Sequence, residues 1–330
     1  MSIVTNTITK YDPVNIREDL SNVITNISPT DTPILSMSGK ATFKQSYSEW
    51  QTDVLATAIT TNAVLEGDDL VSTTDTATMT VRVGNYAQIS RKLIQVSGTL
   101  RATDQAGYKD ELAFQVARKA AELKRDMEST AGSLQVAVAG GPTTARKTGA
   151  LGGWIITNAT VGSGGAVPQM SSGTATTDLS GYPKTIASDG TDRTYTEALL
   201  KASLQAVWEQ GGTLEYLMVG PYIKTVVSGF AGIATRTKDV PGSKQATITA
   251  AADVYVSDFG TVKVIPNRFQ KSNTAYVYDP DMVDIGYLRP YEVVTLAKTG
   301  DAEKRMLIAE WGLKVKNQRG LGATHDLTVV

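Results

Sequence analysis

Hydrophobic and polar positions alternate along residues 76–98, TATMTVRVGNYAQISRKLIQVSG. From Met79 to Leu93 most odd positions carry apolar residues, and the even positions carry mostly polar ones. This alternation predicts a β-strand with one covered face and one face in water. At about 3.3 Å per residue the run would reach roughly 50 Å, two to three times an ordinary strand. The apolar phase moves to even positions at Ile94, which predicts a bulge there.

A second strand is predicted at residues 43–56, FKQSYSEWQTDVLA, and a polar, threonine-rich segment joins it to the first. Together the two strands predict a long hairpin over residues 43–97 that has little core of its own. Residues 1–42 are predicted to form an N-terminal arm, because their prolines disfavour a regular helix or a central strand. A short helix is expected within this arm at residues 16–24.

The strongest helix signal covers residues 108–130, YKDELAFQVARKAAELKRDMEST. Its apolar residues recur at helical spacing, and acidic residues near its start suit the helix dipole. Gly132 is expected to end this helix. A second helix is predicted at residues 194–212, with a threonine cap at Thr194 or Thr196.

The remaining segments predict a mixed architecture. Residues 140–193 are rich in Gly, Ser and Thr and are expected to be irregular. A buried strand is predicted at 214–221, a short helix at 221–227, and a hairpin at 254–266, followed by further strands. The fold class is therefore α+β. Three tryptophans are interpreted as core residues: Trp154, Trp208 and Trp311.

Composition narrows the functional classes. The chain has 330 residues, 41% hydrophobic and 20% charged, with a net charge of -1, no cysteine and one histidine, His325. The near-neutral charge argues against a dedicated nucleic-acid binder, which is normally basic. The cysteine count excludes disulfides and thiolate sites, and a single histidine disfavours most imidazole-based catalysis. No signal peptide or membrane-spanning apolar run is present in the sequence.

Candidate chemistry is weak. The loop GGPTTARKT, residues 140–148, lacks the GxxxxGK[ST] spacing of a phosphate-binding loop. The acidic segments at 66–69 and 279–284 lack EF-hand spacing and are interpreted as solvated turns. His325 next to Asp326 has no serine motif to partner it and is interpreted as a tail residue. No catalytic, cofactor-binding or metal site is therefore predicted.

Several long phrases resemble those of one family of phage head proteins. They are REDLSNVITNISPTDTPILSM (17–37), NAVLEGDDL (62–70), RVGNYAQISRKLIQVSGT (82–99), ELKRDMES (122–129) and RKTGALGGWIITN (146–158). The order of elements also resembles that of tailed-bacteriophage major capsid proteins with the Hong Kong 97-type fold, over essentially the whole chain. The resemblance implies these parts: an N-terminal arm (1–42), an extended-loop hairpin (43–97), a peripheral domain (98–185 and 285–320) with a spine helix (108–130), an axial domain (186–284) and a C-terminal tail (321–330).

The resemblance implies a structural protein of the virion, with no enzymatic activity and no cofactor. Copies would assemble in the bacterial host cytoplasm into hexamers and pentamers of an icosahedral or prolate head. The shell would enclose double-stranded DNA without reading its sequence, and no membrane would be involved. Scaffolding and portal proteins are the expected partners, and a decoration protein is a further candidate.

The extended loop would lie across a neighbouring subunit, which would explain a ribbon that buries little in its own chain. The candidate inter-subunit contacts are Trp50, Arg82, Tyr86, Gln88, Arg91 and Lys92. Three other classes stay open at this point. They are a tail-tube or decoration subunit, a nucleotide-dependent enzyme that uses the 140–148 loop, and a nucleic-acid binder with one basic face.

Overall fold

The computed structural model describes residues 28–56, 58–60, 63, 66–67, 79–103, 110–172, 179–230 and 254–329. The helices within these ranges are α1 (Pro33–Met37), α2 (Gly98–Ala102), α3 (Glu111–Ala131), α4 (Leu151–Trp154), α5 (Glu197–Glu209) and α6 (Pro221–Ser228). The strands are β1 (Gly39–Thr42), β2 (Tyr47–Thr52), β3 (Val81–Tyr86), β4 (Gln88–Ser97), β5 (Ala159–Thr160), β6 (Gln169–Met170), β7 (Pro183–Thr185), β8 (Tyr216–Val219), β9 (Val254–Ser257), β10 (Gly260–Pro266), β11 (Ala275–Tyr278), β12 (Val283–Thr295), β13 (Ala302–Val315) and β14 (Gly322–Thr324).

These strands form two larger sheets, which confirms the α+β class. The first has the order β1-β12-β13-β4, and helix α3 packs against β4 and β13. The second has the order β5-β14-β11-β8-β10-β9. Two small pairs, β2-β3 and β6-β7, complete the sheets of the described residues.

The long helix α3 begins and ends close to where the sequence places it. Asp110 is its N-cap, since its Oδ1 accepts a hydrogen bond from Leu112 N at 3.0 Å. Gly132 is its C-cap, as expected. The buried stripe includes Leu123 and Met127, which lie in the apolar core next to the first sheet.

Two large apolar clusters and a small third one, made of Ile94, Val96 and Leu112, stabilise the described part of the chain. The first large cluster lies between α3, the first sheet and the 140–170 region, and the second lies between α5, α6 and the second sheet. Trp154 and Trp311 are fully buried in the first cluster, as predicted. The prediction for Trp208 is wrong: it is exposed at the end of α5, where its ring packs against Phe259 at 5.2 Å.

Residues 33–42 lie in the body instead of forming a free arm. Pro33 starts α1, because proline at the first helical position loses no hydrogen bond. Strand β1 then pairs in parallel with β12 as an edge of the first sheet. The expected arm is thus docked from Pro33 onward, and the helix predicted at 16–24 lies outside the described residues.

A buried carboxylate fixes this N-terminal segment. Both oxygens of Glu128 on α3 accept hydrogen bonds, from Ile34 N and Leu35 N, each at 2.9 Å. Asn267 Nδ2 donates to the same carboxylate at 2.7 Å. Burial raises the pKa of the Glu128 carboxyl, although these donors oppose the shift. One side chain therefore joins α1, α3 and the loop that follows β10.

Most of the expected tail, residues 321–330, lies in the core. Strand β14 pairs with β5 and β11 inside the second sheet, and Leu327 is fully buried in the second cluster. This occurs because the small and apolar side chains of the segment fit between the two neighbouring strands. His325 is buried rather than solvated, and Asp326 Oδ2 accepts a hydrogen bond from Gly162 N at 2.7 Å.

The Glu128 network predicts a large stability loss on truncation. The substitution Glu128→Ala leaves three buried donors without an acceptor, so we expect the free energy of unfolding to fall by about 3 kcal/mol or more. Glu122→Ala on the same helix is the control, because Glu122 pairs with Lys119 at a partly exposed site and should cost less than about 1 kcal/mol. Urea unfolding of both variants measures the difference. Equal losses would contradict the assigned role of Glu128.

Burial of His325 predicts an acid-sensitive stability. Desolvation lowers the pKa of His325 from 6.5 to about 4. The positive charges of Lys271 and Arg193 lower this pKa further, whereas the carboxylates of Asp326 and Asp189 raise it. The unfolded chain therefore binds the proton first on acidification. Stability should fall between pH 6.5 and pH 4, by a total of about 3 kcal/mol.

The variant His325→Phe keeps an aromatic ring in the site and removes this titration. Urea unfolding of both proteins at several pH values gives the free energy of unfolding as a function of pH. In the variant its slope between pH 6.5 and pH 4 should be smaller, by the uptake of about one proton. Parallel stability curves for the variant and the wild type would contradict the assignment.

Candidate inter-subunit surface

The alternating run of residues 79–93, which forms the second half of the predicted hairpin, is divided between two sheets. Strand β3 pairs with β2, whereas β4 pairs with β13, and the buried residue Ala87 separates them. The two segments are therefore separate strands, so the expectation of one continuous strand from Met79 to Leu93 is wrong. The predicted pairing between the strand in residues 43–56 and the start of the alternating run is confirmed by β2 and β3. The phase of burial changes at Ala87, not at the predicted bulge at Ile94.

This change reverses the faces that the sequence predicts for β4. Ser90 and Lys92 are half-buried, Ser90 accepts a hydrogen bond from Trp311 Nε1 at 3.1 Å and Lys92 pairs with Asp126 of α3, and Ile94 is fully buried. In contrast, Ile89 and Leu93 are 47% and 56% exposed. The polar positions are thus the covered ones, because the helix beside them supplies polar partners.

We call the solvent side of this sheet the outer sheet face, defined by Ile89, Leu93, Val294 and Met306. Val294 and Met306 are half-buried, and Ile308 lies on the same face but is buried. Directly paired residues of antiparallel strands share one face, and Leu93 pairs with Met306, which in turn pairs with Val294. Arg91 pairs with Ile308 and is exposed on the same face. The face is an apolar stripe on a rigid, hydrogen-bonded support.

The hairpin β2-β3 is held to the body by Trp50. Its Nε1 donates to Val315 O at 2.8 Å, and its ring lies 5.5 Å from that of Trp154. Lys314 Nζ lies 5.9 Å from the centre of the Trp50 ring. This predicted contact residue therefore interacts mainly with its own chain.

Asn85 fixes the point where the hairpin meets the sheet. Its Nδ2 donates to Leu313 O at 2.7 Å and to Gly149 O at 3.1 Å, and its Oδ1 accepts from Gly149 N at 2.7 Å. The side chain is fully buried. This position requires a side chain that both donates and accepts hydrogen bonds, as an amide does. This explains why a polar residue occurs among the mostly apolar odd positions of the run.

Two further candidates also interact within the chain. Gln88 Oε1 accepts from Gln135 Nε2 at 2.8 Å, and Lys92 Nζ lies 2.5 Å from Asp126 of α3. In the isolated subunit these side chains position β4 against the body. Their roles between subunits stay predictions.

The other three candidates face solvent to a greater extent. The Arg82 side chain is 71% exposed and forms a 3.3 Å ion pair with Glu49 across the hairpin. Arg91 is exposed on the outer sheet face. Tyr86 is half-buried in an aromatic group with Tyr47 and Tyr182, at ring distances of 4.6 and 5.3 Å, and burial raises its pKa.

The loop at 140–148 has a structural role in this chain. Arg146 and Arg289 both form ion pairs with the buried Glu310. The distance from Arg289 Nε to Glu310 Oε2 is 2.9 Å. Thr148 Oγ1 accepts from Leu313 N at 3.1 Å and so is part of the interior. Arg146 and Thr148 are therefore engaged in contacts within the chain.

The acidic segments carry no cation site in the part of the chain that the structure describes, where no group of three or more metal-ligating side chains occurs. Asp279 caps a short helical turn by accepting from Asp281 N at 2.9 Å, and Asp284 pairs with Lys316 at 3.0 Å. Residues 68–69 of segment 66–69 lie outside the described residues. Among the described helices, none is long and apolar enough to cross a membrane.

Comparison with known proteins gives consistent relatives. The chain is 28% identical over 345 residues to a major capsid protein of Escherichia phage Phieco32, and the match covers 94% of each chain. A structure described as the capsid asymmetric unit of Cyanophage A-1(L) has a TM-score of 0.65 at 15% identity, covering 98% of this chain and 100% of that one. The capsid of an empty GTA particle with C5 symmetry has a TM-score of 0.54 at 10% identity, covering 95% and 96% of the two chains.

These structural similarities confirm the phage capsid fold of the Hong Kong 97 type that the sequence suggested. At the level of family, residues 3–328 match the family described as SU10 major capsid protein. The match spans nearly all of the chain, including the hairpin, α3 and both larger sheets. The chain therefore belongs to the SU10 major capsid protein family.

Proposed function

We propose that copies of this chain assemble through the outer sheet face and the β2-β3 hairpin into hexamers and pentamers of a phage head. The observation that carries this proposal is the apolar outer sheet face, which is exposed on a folded subunit. Family membership supports a structural shell role over that of a tail-tube or decoration subunit.

The outer sheet face has the composition of an association surface. Ile89 and Leu93 are about half exposed, and the exposed Arg91 lies between them on the same face. Apolar side chains together with arginine are common in protein interfaces. Because the strands are already ordered by the sheet, docking costs little backbone entropy.

The hairpin supplies a second surface of different chemistry. Arg82 and Glu49 form an exposed ion pair on it, and the two-stranded unit rests on the body mainly through Trp50 and Asn85. Exposed charges of both signs set orientation more than affinity. We therefore assign the hairpin the role of selecting the geometry between neighbouring copies.

The proposed partners follow from the shell role. They are a scaffolding protein during assembly in the host cytoplasm, a portal protein, and a decoration protein as a further candidate. The packaged DNA would be enclosed without sequence readout, which suits a chain of net charge -1. We propose no enzymatic activity.

The substitution Leu93→Glu tests the outer sheet face. Leu93 is 56% exposed, so the charge should change the free energy of unfolding of the subunit by less than about 0.5 kcal/mol. Buried between two copies, the same charge should reduce the yield of shells at least tenfold, measured by electron microscopy and size-exclusion chromatography. Leu93→Met, which keeps the face apolar, is the control and should assemble normally. Normal shells from Leu93→Glu would refute this use of the face.

The substitution Arg82→Glu tests the hairpin. It replaces one exposed ion pair with two like charges, which should cost the subunit less than about 1 kcal/mol. Assembly should weaken more than this, and the loss should diminish at high salt because salt screens exposed charges. Light scattering at several salt concentrations measures both effects. A loss of subunit stability as large as the loss of assembly would argue against a contact here.

A further inference from the structure

Three arginines meet at one end of the outer sheet face. Arg146 and Arg289 share the carboxylate of the buried Glu310, so two guanidinium groups are set against one carboxylate. Glu310 pairs in register with Ile89, and the exposed Arg91 lies two residues further along the same face of β4. We call the side chains of Arg91, Arg146 and Arg289 the arginine group.

The arginine group carries more positive charge than the carboxylates beside it neutralise. Among the described residues Arg91 forms no ion pair, and the Arg289 side chain is 48% exposed although it contacts Glu310. A second carboxylate, that of Glu292, pairs in register with Ile308, which in turn pairs with Arg91. The backbones of Glu292 and Arg91 are therefore two strand spacings apart, about 10 Å. Three cations thus face two carboxylates, one of which is buried between two of them.

The occupant that suits this surface combines carboxylates with apolar side chains. Guanidinium groups bind carboxylates in directed, often bidentate, pairs. Ile89 and Leu93, which are 47% and 56% exposed, flank Arg91 on the same strand. A purely acidic segment would leave these aliphatic side chains in water, and a purely apolar one would bury the Arg91 charge without a partner, which is costly.

Residues 65–70 of the chain, LEGDDL, have this composition. Three carboxylates lie between two leucines. Glu66 is exposed and lies in a turn with Gly67, whose φ of 84° is one that glycine adopts readily. The acidic segment at 279–284 is by contrast engaged within the subunit, through the cap and the ion pair described above.

The hairpin carries the start of this segment away from the arginine group of its own chain. Leu55, which follows β2, lines one cavity with Asn317, just beyond the end of β13. Arg91 instead pairs with Ile308. At about 3.3 Å per residue, Ile308 lies roughly 30 Å back along the chain from Asn317. A neighbouring copy is therefore better placed than the same chain to supply the acidic segment.

We propose that residues 65–70 of one copy bind the arginine group of a second copy. Their carboxylates pair with Arg91 and with the exposed side of Arg289, and their leucines cover Ile89 and Leu93. The proposal rests on the proposed function, because it names what covers the outer sheet face in a shell. It also makes this contact partly electrostatic, so assembly should weaken as salt rises.

Changing the two sides of the contact, separately and together, tests the pairing. Arg91→Glu alters one side, and the neutral-segment variant, with Glu66→Gln, Asp68→Asn and Asp69→Asn, alters the other. Each should lower the yield of shells about tenfold or more, measured by electron microscopy, because arginine pairs are often central to binding. Combined, they should be no worse than Arg91→Glu alone, since the neutral segment no longer meets a like charge.

Arg91→Lys keeps the positive charge and is the matched control, which should still form shells. Because Arg91 is exposed, neither substitution at this position should change the midpoint of thermal unfolding of the subunit. Normal assembly of Arg91→Glu or of the neutral-segment variant would overturn the inference. Losses that multiply when the two are combined would overturn it as well.

A cross-linking experiment identifies the source of the segment without depending on a loss of assembly. Arg91→Lys places an amine against the acidic segment, and a carbodiimide then joins amine and carboxylate in an amide bond while it takes up the water released. Shells assembled from a mixture of isotopically light and heavy subunits should give linked peptides of mixed label, joining position 91 to residues 66–69. The wild type, treated in the same way, is the control for position 91. Linked peptides of one label only, or no link at position 91, would overturn the inference.

The two experiments separate this inference from the proposed function. Wild-type protein that forms no shells, alone or with its assembly partners, would remove both. Wild-type shells, together with normal shells from the neutral-segment variant and no link at position 91, would remove only the pairing. A link from position 91 to an acidic peptide of another protein would show a different occupant and overturn the second copy.

Discussion

The carboxylate of Glu128 is the interaction on which the arrangement of the two sheets depends. It sits on the buried side of α3 and accepts from Ile34 N, Leu35 N and Asn267 Nδ2. A buried charge is costly unless its oxygens have donors, and here two separate parts of the chain supply three donors. Any shift of α1 or of the loop after β10 would leave the charge uncompensated. The network therefore selects one relative position for the N-terminal segment, the long helix and the second sheet.

A second constraint acts at Ala87, where the chain leaves one sheet and enters another. Asn85 binds the backbone on both sides of this junction, and β4 continues with the opposite face inward. This inversion places Ile89 and Leu93 in solvent while Lys92 pairs with Asp126. A protein that stays monomeric would be more stable with Ile89 and Leu93 facing its interior and the polar side chains in solvent. The observed phase leaves two aliphatic side chains about half exposed, which suits the proposed assembly through this face.

Much of the fold could be predicted from the sequence, because helices and hairpins carry local signals. The spacing of apolar residues with Asp110 and Gly132 located α3, and Thr196 located α5. The exposed contact face could not be predicted in the same way. Alternation predicts two faces but does not say which one a distant helix will cover, and Lys92 is half-buried beside α3, where it pairs with Asp126. Two polar residues in the apolar phase, Asn85 and Arg91, were the local signs that the pattern changes in this region.

The surfaces left uncovered in one copy differ in how well they are already ordered. The outer sheet face stands on the continuous β4-β13 ladder, so its contacts need no folding on association. The β2-β3 hairpin carries exposed charges of both signs and is attached to the body through Trp50 and Asn85. A shell needs contacts that are individually weak enough to correct errors and numerous enough to be stable together, since linked contacts multiply in affinity. Two modest surfaces on each subunit satisfy that requirement better than a single large one.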